Sequence, residues 1–159
     1  MTETRVYLCW YSTKPVDFCH LSELAGIRPT AIAEKGTPVI SHIDGSPVQR
    51  MGKDGQWTTV FHKENSLTYE LPTYRGQKVY SLLNKMMKTI QHPAELGEYC
   101  KSNGINAHLE IVIYGITDNY SIPAFDFSKE FVSFLATINA SVDFDLYTSP
   151  LVIKELPKQ

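Results

Sequence analysis

The chain has little cysteine and no long apolar run. The first absence argues against a disulfide-stabilised fold, and the second argues against a membrane-spanning helix. Its three cysteines, Cys9, Cys19 and Cys100, are odd in number and far apart, so they predict no disulfide framework. No apolar stretch approaches the ~20 residues that a membrane-spanning helix needs. The N-terminus also lacks the basic start and apolar segment of a secretory signal. We therefore expect a cytoplasmic protein with no membrane partner.

The chain also lacks a large excess of either positive or negative charge. The 15 Lys and Arg residues nearly balance the 17 Asp and Glu residues, which leaves a net charge of −2 and no basic run. Because a nucleic-acid-binding protein normally needs a basic face, we expect no nucleic-acid partner. With 159 residues, 43% of them hydrophobic, the chain can bury the core of one domain. We predict a single domain over residues 1–159, with its core at about 5–148 and a tail at 149–159.

The last third of the chain has the clearest pattern. Residues 107–114 are β-branched and apolar at alternate positions, and residues 141–147 alternate between apolar and polar. Between them, Ser128 is a predicted N-cap, and the residues after it are apolar at i, i+3, i+4 and i+7. The apolar residues of this predicted helix are Phe131, Phe134, Leu135 and Ile138. The pattern predicts a strand, a helix and a strand.

The first half predicts shorter elements. Residues 5–11 alternate as a strand, Asp17 is a predicted N-cap, and Gly26 stands where a helix would end. A short strand is predicted at 31–34. Residues 37–56 hold many turn formers, and we predict a long loop there with a small hairpin between 39–43 and 47–51.

The middle of the chain completes the predicted order. Residues 57–61 are typical of a strand, and the polar stretch 64–75, which contains Pro72, is predicted to be a connection. The longest helix is predicted at 77–91, and Pro93 starts another. The order β-α-β-β-α-β-α-β indicates an α+β domain, ferredoxin-like, with a mostly antiparallel sheet and helices on one face.

If helices cover one face of this sheet, the other face is rich in tyrosines and acids. That mixture is common where proteins contact other proteins. An ordinary solvated face, favoured by the β-propensity of tyrosine, explains the pattern as well. Stacking of nucleobases would need basic neighbours, which are missing here. The predicted partner-binding residues are Tyr7, Tyr11, His108, Glu110, Tyr114, Asp143, Asp145 and Tyr147.

Asp143 and Asp145 are two residues apart on a predicted strand, so both carboxylates point to one face. Together with Glu110 or His108, they could hold a divalent cation or act as an acid–base pair. Alternating polar residues also mark the solvent side of a half-buried strand. We predict no metal and no cofactor, and we keep a metal-dependent enzyme or small-ligand binder as the alternative function.

Catalytic motifs are missing from the chain. The histidines lack H-x-x-x-H spacing, and no G-x-S-x-G elbow is present. Residues 41–44, Ser-His-Ile-Asp, have the residue types of a triad, but a triad is assembled from distant segments. Residues 52–55, Gly-Lys-Asp-Gly, lack the spacing of a phosphate-binding loop. The sequence therefore favours a non-enzymatic protein.

Several short motifs resemble one bacterial family of domains of unknown function, number 4279. They are residues 24–30 (Leu-Ala-Gly-Ile-Arg-Pro-Thr), Lys35-Gly36, Trp57, and residues 131–135 leading to 143–147. The resemblance spans about residues 6–147 and implies no established activity. At most, the resemblance implies an association with bacterial immunity proteins, which neutralise toxins and include small domains of this general type.

The working hypothesis is a non-catalytic, cytoplasmic protein-binding domain. Its specific form is an immunity protein, in which the acidic, tyrosine-rich face or the loop at 37–56 covers the active site of a cognate toxin. A homodimer formed through an exposed strand edge is a further expectation.

Overall fold

The computed structural model describes residues 3–41, 43–72, 78–115 and 126–147. The helices are α1 (Phe18–Ala25), α2 (Val79–Thr89), α3 (Pro93–Asn103) and α4 (Lys129–Thr137). The strands are β1 (Glu3–Ser12), β2 (Ala31–Ala33), β3 (Gln49–Met51), β4 (Trp57–Thr59), β5 (Asn65–Glu70), β6 (Asn106–Tyr114) and β7 (Ala140–Tyr147). The predicted tail at 149–159 lies outside the described residues.

The main sheet has the strand order β2-β5-β1-β6-β7. Strand β1 is antiparallel to both β5 and β6, and β2 is antiparallel to β5. Strands β6 and β7 are parallel, because the connection between them contains α4. The α+β class and the mostly antiparallel sheet are confirmed. The ferredoxin-like order is not confirmed, since β3 and β4 form a separate sheet and β5 lies between β2 and β1.

The core lies between the main sheet and the helices. Along β1, Val6, Leu8 and Trp10 are buried, while the residues between them are half-exposed. Helices α2, α3 and α4 contact β1, β6 and β7, and their apolar stripes join one buried cluster with α1. The described helices therefore cover one face of the sheet, as predicted. None of them is long and apolar enough to span a membrane.

The predicted helix starts are confirmed by capping hydrogen bonds. The Asp17 carboxylate accepts from the backbone N–H of His20 at 3.0 Å, which begins α1. Gly26 ends α1 in the left-handed conformation, with φ of 65°. The Ser128 hydroxyl accepts from the N–H of Phe131 at 3.2 Å and begins α4. Local sequence chemistry sets these boundaries.

Helices α3 and α4 approach each other closely at Gly97. A Cβ atom built on Gly97 would overlap the carbonyl group of Thr137. Gly97 is buried within α3, and its missing side chain is what permits the contact with the end of α4. The helical layer is therefore packed at this crossing to the limit that the backbones allow.

The predicted connection at 64–75 is wrong, because it contains β5. Leu67 is buried on the helix side, while Ser66 and Thr68 lie on the other face. This alternation is typical of a strand, and Pro72 lies beyond its end, so the proline breaks no ladder hydrogen bond. Residues 73–77 are outside the described part of the chain, and with them the predicted start of the long helix at Gln77.

The predicted long loop is ordered β structure. We call residues 34–64 the arm. It consists of three short ribbons: the β3–β4 ladder, a bridge between Pro38 and Phe61, and a bridge between Ile40 and Pro47. The last bridge agrees with the predicted small hairpin, and the predicted strand at 57–61 belongs to this second sheet rather than to the main one.

The three ribbons meet at three valines. The N–H of Val39 donates to the carbonyl of Val60, Val60 donates to Val48, and Val48 donates to Val39, each at 2.8 Å. This closed cycle of backbone hydrogen bonds holds the arm together. At its base, the N–H of Lys35 donates to the Asn65 side chain at 3.0 Å, and Asn65 donates to the carbonyl of Lys14 at 2.8 Å. The arm is thereby attached to the ends of β1 and β5.

Candidate functional site

The face of the main sheet opposite the helices is called the open face. Its strand register places predicted residues in rows across the strands. Tyr7 on β1 pairs with Glu70 on β5 and with Glu110 on β6, and Glu110 pairs with Asp143 on β7. Paired side chains on one face lie within contact distance of each other. A tyrosine and three carboxylates therefore form one row across the middle of the sheet.

The carboxylates of this row are not equivalent. Burial, followed by a hydrogen bond with Asp145 and the negative charge of Asp145, raises the pKa of Glu110. Glu110 therefore holds a proton more firmly than an exposed glutamate does. Asp143 is exposed, and its carboxylate accepts from the N–H of Phe144 at 2.7 Å. The structure thus brings Glu110 into hydrogen-bonding contact with Asp145.

Arg5 is a cation on the same face. Its guanidinium lies 3.3 Å from the carboxylate of Glu3 and 3.8 Å from that of Glu70. A hydrogen bond with Tyr7, assisted by these carboxylates, raises the pKa of Arg5. Sequence reasoning missed both Arg5 and Glu70. The missed signal was the alternation of residues 66–71, which would have placed Glu70 on a strand beside Tyr7.

The neighbouring row contains a thiol and an imidazole. Cys9 pairs with Thr68 on one side and with His108 on the other. Burial raises the pKa of Cys9, so this thiol is protonated at neutral pH and is a poor nucleophile. The Nδ1 atom of His108 lies 2.8 Å from the hydroxyl of Ser141, in a hydrogen bond. The side chains of this row are held by hydrogen bonds, and none of them is an activated nucleophile.

The aromatic end of the open face lies on β6 and β7. Tyr114 and Tyr147 are register partners, and their rings stack with centroids 5.1 Å apart and planes 15° apart. Tyr147 is 48% exposed, and burial raises the pKa of Tyr114. Two stacked rings restrain each other and offer a rigid apolar surface with two hydroxyl groups.

The structure places all eight predicted partner-binding residues on the open face, where they extend along it from Tyr11 at one end to Tyr114 and Tyr147 at the other. Tyr11 lies at the far end of β1, where it borders a shallow groove of about 360 Å³ that Asn106 and Ser141 also line. None of the eight is buried: Asp143 and Tyr147 are exposed and the other six are half-buried. Between them, Val112 is only 4% exposed, opposite Arg5 and Asp145.

Metal binding finds little support in this geometry. Among the residues that the structure describes, no group of three His, Cys, Asp or Glu side chains is placed to hold a metal ion. Glu110 and Asp145 supply two carboxylates, and the nearby His108 is engaged with Ser141. A hard cation such as Ca²⁺ or Mg²⁺ takes six or more ligands, so water would have to supply most of them.

The arm presents a second surface, which sequence reasoning missed. Bridge partners point to the same side of a ribbon, and residues two apart share a face, so alternate arm residues lie on one side that is largely apolar. We call this side the arm face; its apolar residues are Pro38, Ile40, Pro47, Met51, Trp57 and Phe61, and the polar pair Gln49 and Thr59 lies among them. Trp57 is 63% exposed and Met51, its partner across the ladder, is 55% exposed. The available signal was the run Trp57-Thr58-Thr59-Val60-Phe61, which consists of β-branched and aromatic residues.

A groove separates the base of the arm from the sheet. It has a volume of about 630 Å³ and is lined by β2, by Pro38 and Ile40 of the arm, and by Ser66 and Thr68 of the open face. The groove therefore connects the two surfaces at the β2 edge of the main sheet.

Comparison with known proteins gives a family and no activity. The chain matches no curated protein and no solved structure. Residues 2–149 match the family described as Domain of unknown function (DUF4279). The match covers nearly the whole chain and includes every described helix and strand. The chain is a member of the DUF4279 family.

Proposed function

We propose that this protein is a non-catalytic, cytoplasmic binding domain whose open face receives a protein partner. The observation that carries the proposal is the placement of all eight predicted residues on one face, with none of them buried. The described helices pack on the opposite face. A rigid sheet thus holds tyrosines and carboxylates in place before any partner arrives, which lowers the entropic cost of binding.

The charges of the open face indicate the chemistry of that partner. Five carboxylates share the face with the guanidinium of Arg5; they belong to Glu3, Glu70, Glu110, Asp143 and Asp145. A basic patch on a partner would be attracted to this acidic surface and guided to it. The local charge matters here more than the net charge of −2.

The aromatic residues supply the apolar part of the contact. Tyrosine is frequent among the residues that dominate binding energy, because its ring buries a large area while its hydroxyl finds a hydrogen-bond partner. The stacked pair of Tyr114 and Tyr147 meets this description at one end of the face. Tyr7 does so at the centre, where it is hydrogen-bonded to Arg5.

The specific form of the proposal is an immunity protein. A toxin whose active site is basic, as in an enzyme that acts on nucleic acids, is the partner that the acidic face would cover. Exclusion of the substrate needs only steric and electrostatic blockade, so it requires no catalytic group in this chain. The protonated Cys9 and the engaged His108 are consistent with that.

The test begins with the product of the neighbouring gene and with affinity capture from the native host. For a captured partner, the double substitution Tyr114→Ala and Tyr147→Ala should weaken binding by at least ~30-fold, as expected for hot-spot residues. Asp143→Asn should weaken it less and reduce its dependence on salt. Val132→Ser, an exposed change on α4 away from the open face, is the matched control.

Two outcomes would overturn the proposal. One is a captured partner whose affinity is unchanged by all three substitutions on the open face. The other is binding of Mg²⁺, Mn²⁺, Ca²⁺ or Zn²⁺ in calorimetry that Asp145→Asn abolishes, with no protein partner captured. The second result would favour the metal-dependent alternative instead.

A further inference from the structure

The arm buries none of its own side chains. Among its described residues, which are all except His42, every side chain is exposed or half-buried, and the main core includes no arm residue. Small β structures without a core are marginally stable in water. The backbone cycle of Val39, Val48 and Val60 orders the arm, but it removes little apolar surface from solvent. The arm therefore leaves its apolar side chains available for contact with another surface.

The size of the arm face fits a protein interface. Its six apolar side chains are all exposed, and four of them, Ile40, Met51, Trp57 and Phe61, are 48–63% exposed. At half of the about 150–250 Å² that a large side chain can bury, the six amount to roughly 500–600 Å² of apolar area. The largest apolar patch on a typical monomer is about 300–600 Å², and a standard interface takes about 800 Å² from each partner. The arm face thus lies at the upper limit for a monomer and, with a polar rim, near the area that a stable dimer needs.

Charge indicates which occupant covers it. The arm carries four cations, Lys35, Arg50, Lys53 and Lys63, and four anions, Glu34, Asp44, Asp54 and Glu64. Two copies of a neutral arm can meet without net repulsion, whereas two acidic open faces would repel each other. An anionic membrane would attract an arm with surplus positive charge, and this arm has none. Charge balance therefore favours a second copy of the chain.

We propose that the arm face is the interface of a homodimer, in which the arm faces of two copies cover each other around a two-fold axis. A two-fold interface uses the same patch on both subunits, as a self-complementary neutral surface allows. The Met51–Trp57 pair supplies its largest side chains. This interface uses no residue of the open face, so the inference is independent of the proposed partner binding.

The mass of the purified chain, measured by sedimentation and light scattering over a range of concentrations, tests the proposal. We expect a dimer that dissociates on dilution. Trp57→Lys should weaken self-association about thirtyfold or more, as expected at a hot-spot aromatic. Ile40→Lys, on a different ribbon of the arm, should act in the same direction. Val132→Lys, which places the same charge at a residue on α4 that is 52% exposed, should leave the dimer intact.

The two tryptophans provide an independent readout. Trp10 is 1% exposed and Trp57 is 63% exposed, so acrylamide reaches only Trp57 in the monomer. Quenching of the fluorescence should therefore decrease as the protein concentration rises. An unchanged circular dichroism spectrum and melting temperature of dilute Trp57→Lys would show that the variant is folded.

Three results would overturn the dimer. The first is a monomeric mass at every concentration. The second is a dimer that both lysine variants leave intact, which would place the interface elsewhere. The third is a monomer whose Trp57 becomes protected when phosphatidylglycerol vesicles are added, which would make a lipid surface the occupant. None of these results would affect capture of a partner by the open face.

Discussion

The two tryptophans of this chain show how differently its two apolar surfaces are used. Trp10 lies on β1 against the helices and is 1% exposed, while Trp57 lies on the arm and is 63% exposed. Both occur in short segments rich in β-branched and aromatic residues, which a strand explains equally well. The difference comes from what each strand faces: four helices cover the face of Trp10, and no described residue buries Trp57. Such a composition predicts a strand, but it does not predict what covers the strand.

The largest expected effect is the difference in stability between a Trp10→Ala variant and a Trp57→Ala variant. Trp10→Ala should lower the free energy of unfolding by about 3–5 kcal/mol, since it leaves a cavity in the core. Trp57→Ala should change it by less than about 0.5 kcal/mol in the monomer, as surface substitutions usually do. Urea denaturation of dilute protein measures both. Equal losses for the two variants would mean that the arm is part of the folded core.

A second prediction concerns the closest contact of the helical layer. Gly97→Ala should destabilise the protein by about 1–3 kcal/mol, because the added methyl group must displace the Thr137 carbonyl at the α3–α4 crossing. Ser102→Ala, on the exposed side of α3, is the matched control and should have little effect. Thermal unfolding measures both. If Gly97→Ala leaves the melting temperature unchanged, α4 can move away from α3 without loss of stability.

The smallest expected effect lies on the open face. Because the pKa of Glu110 is raised in the folded state, ionising this carboxyl group opposes folding, and wild-type stability falls as the pH rises through the folded pKa. Glu110→Gln should therefore stabilise the protein at neutral pH, by less than about 1 kcal/mol because the site is partly solvated. In acid, where wild-type Glu110 is already protonated, the gain should vanish.

The source of the raised pKa can be tested with a second variant. Asp145→Asn removes the charge beside Glu110, so it should also stabilise the protein at neutral pH. The double variant should gain less than the sum of the two single gains, as expected for groups in contact. Urea denaturation at neutral and acidic pH measures this. Fully additive gains would show that Glu110 and Asp145 do not interact.

Local chemistry made much of the fold predictable from sequence. Asp17 and Ser128 cap their helices as expected, and Gly26 ends α1. The alternation along β1, β6 and β7 predicted one shared face for the eight candidate residues, and the strand register places them on one face. These features depend on residues a few positions apart, so a single sequence contains them.

The rest depended on contacts between distant segments. Strand β5 pairs with β1 across more than fifty residues, and its polar composition hid it because Ser66 and Thr68 face away from the core. The arm combines three bridges whose register only the folded chain shows. Arg5 and Glu70 were missed as site residues for the same reason, since they meet only through the pairing of β1 with β5.

Hydrogen exchange of the dilute protein tests most directly the claim that the arm and the helix-covered sheet are separately stable. The amides of Val39, Val48 and Val60 are hydrogen-bonded only within the arm, so they should exchange through a local opening far below the global free energy of unfolding. The amides of Leu8 and Ile111, in the centre of the main sheet, should exchange only on global unfolding. If the three valines exchange as slowly as Leu8, the arm is an integral part of the domain and the account is contradicted.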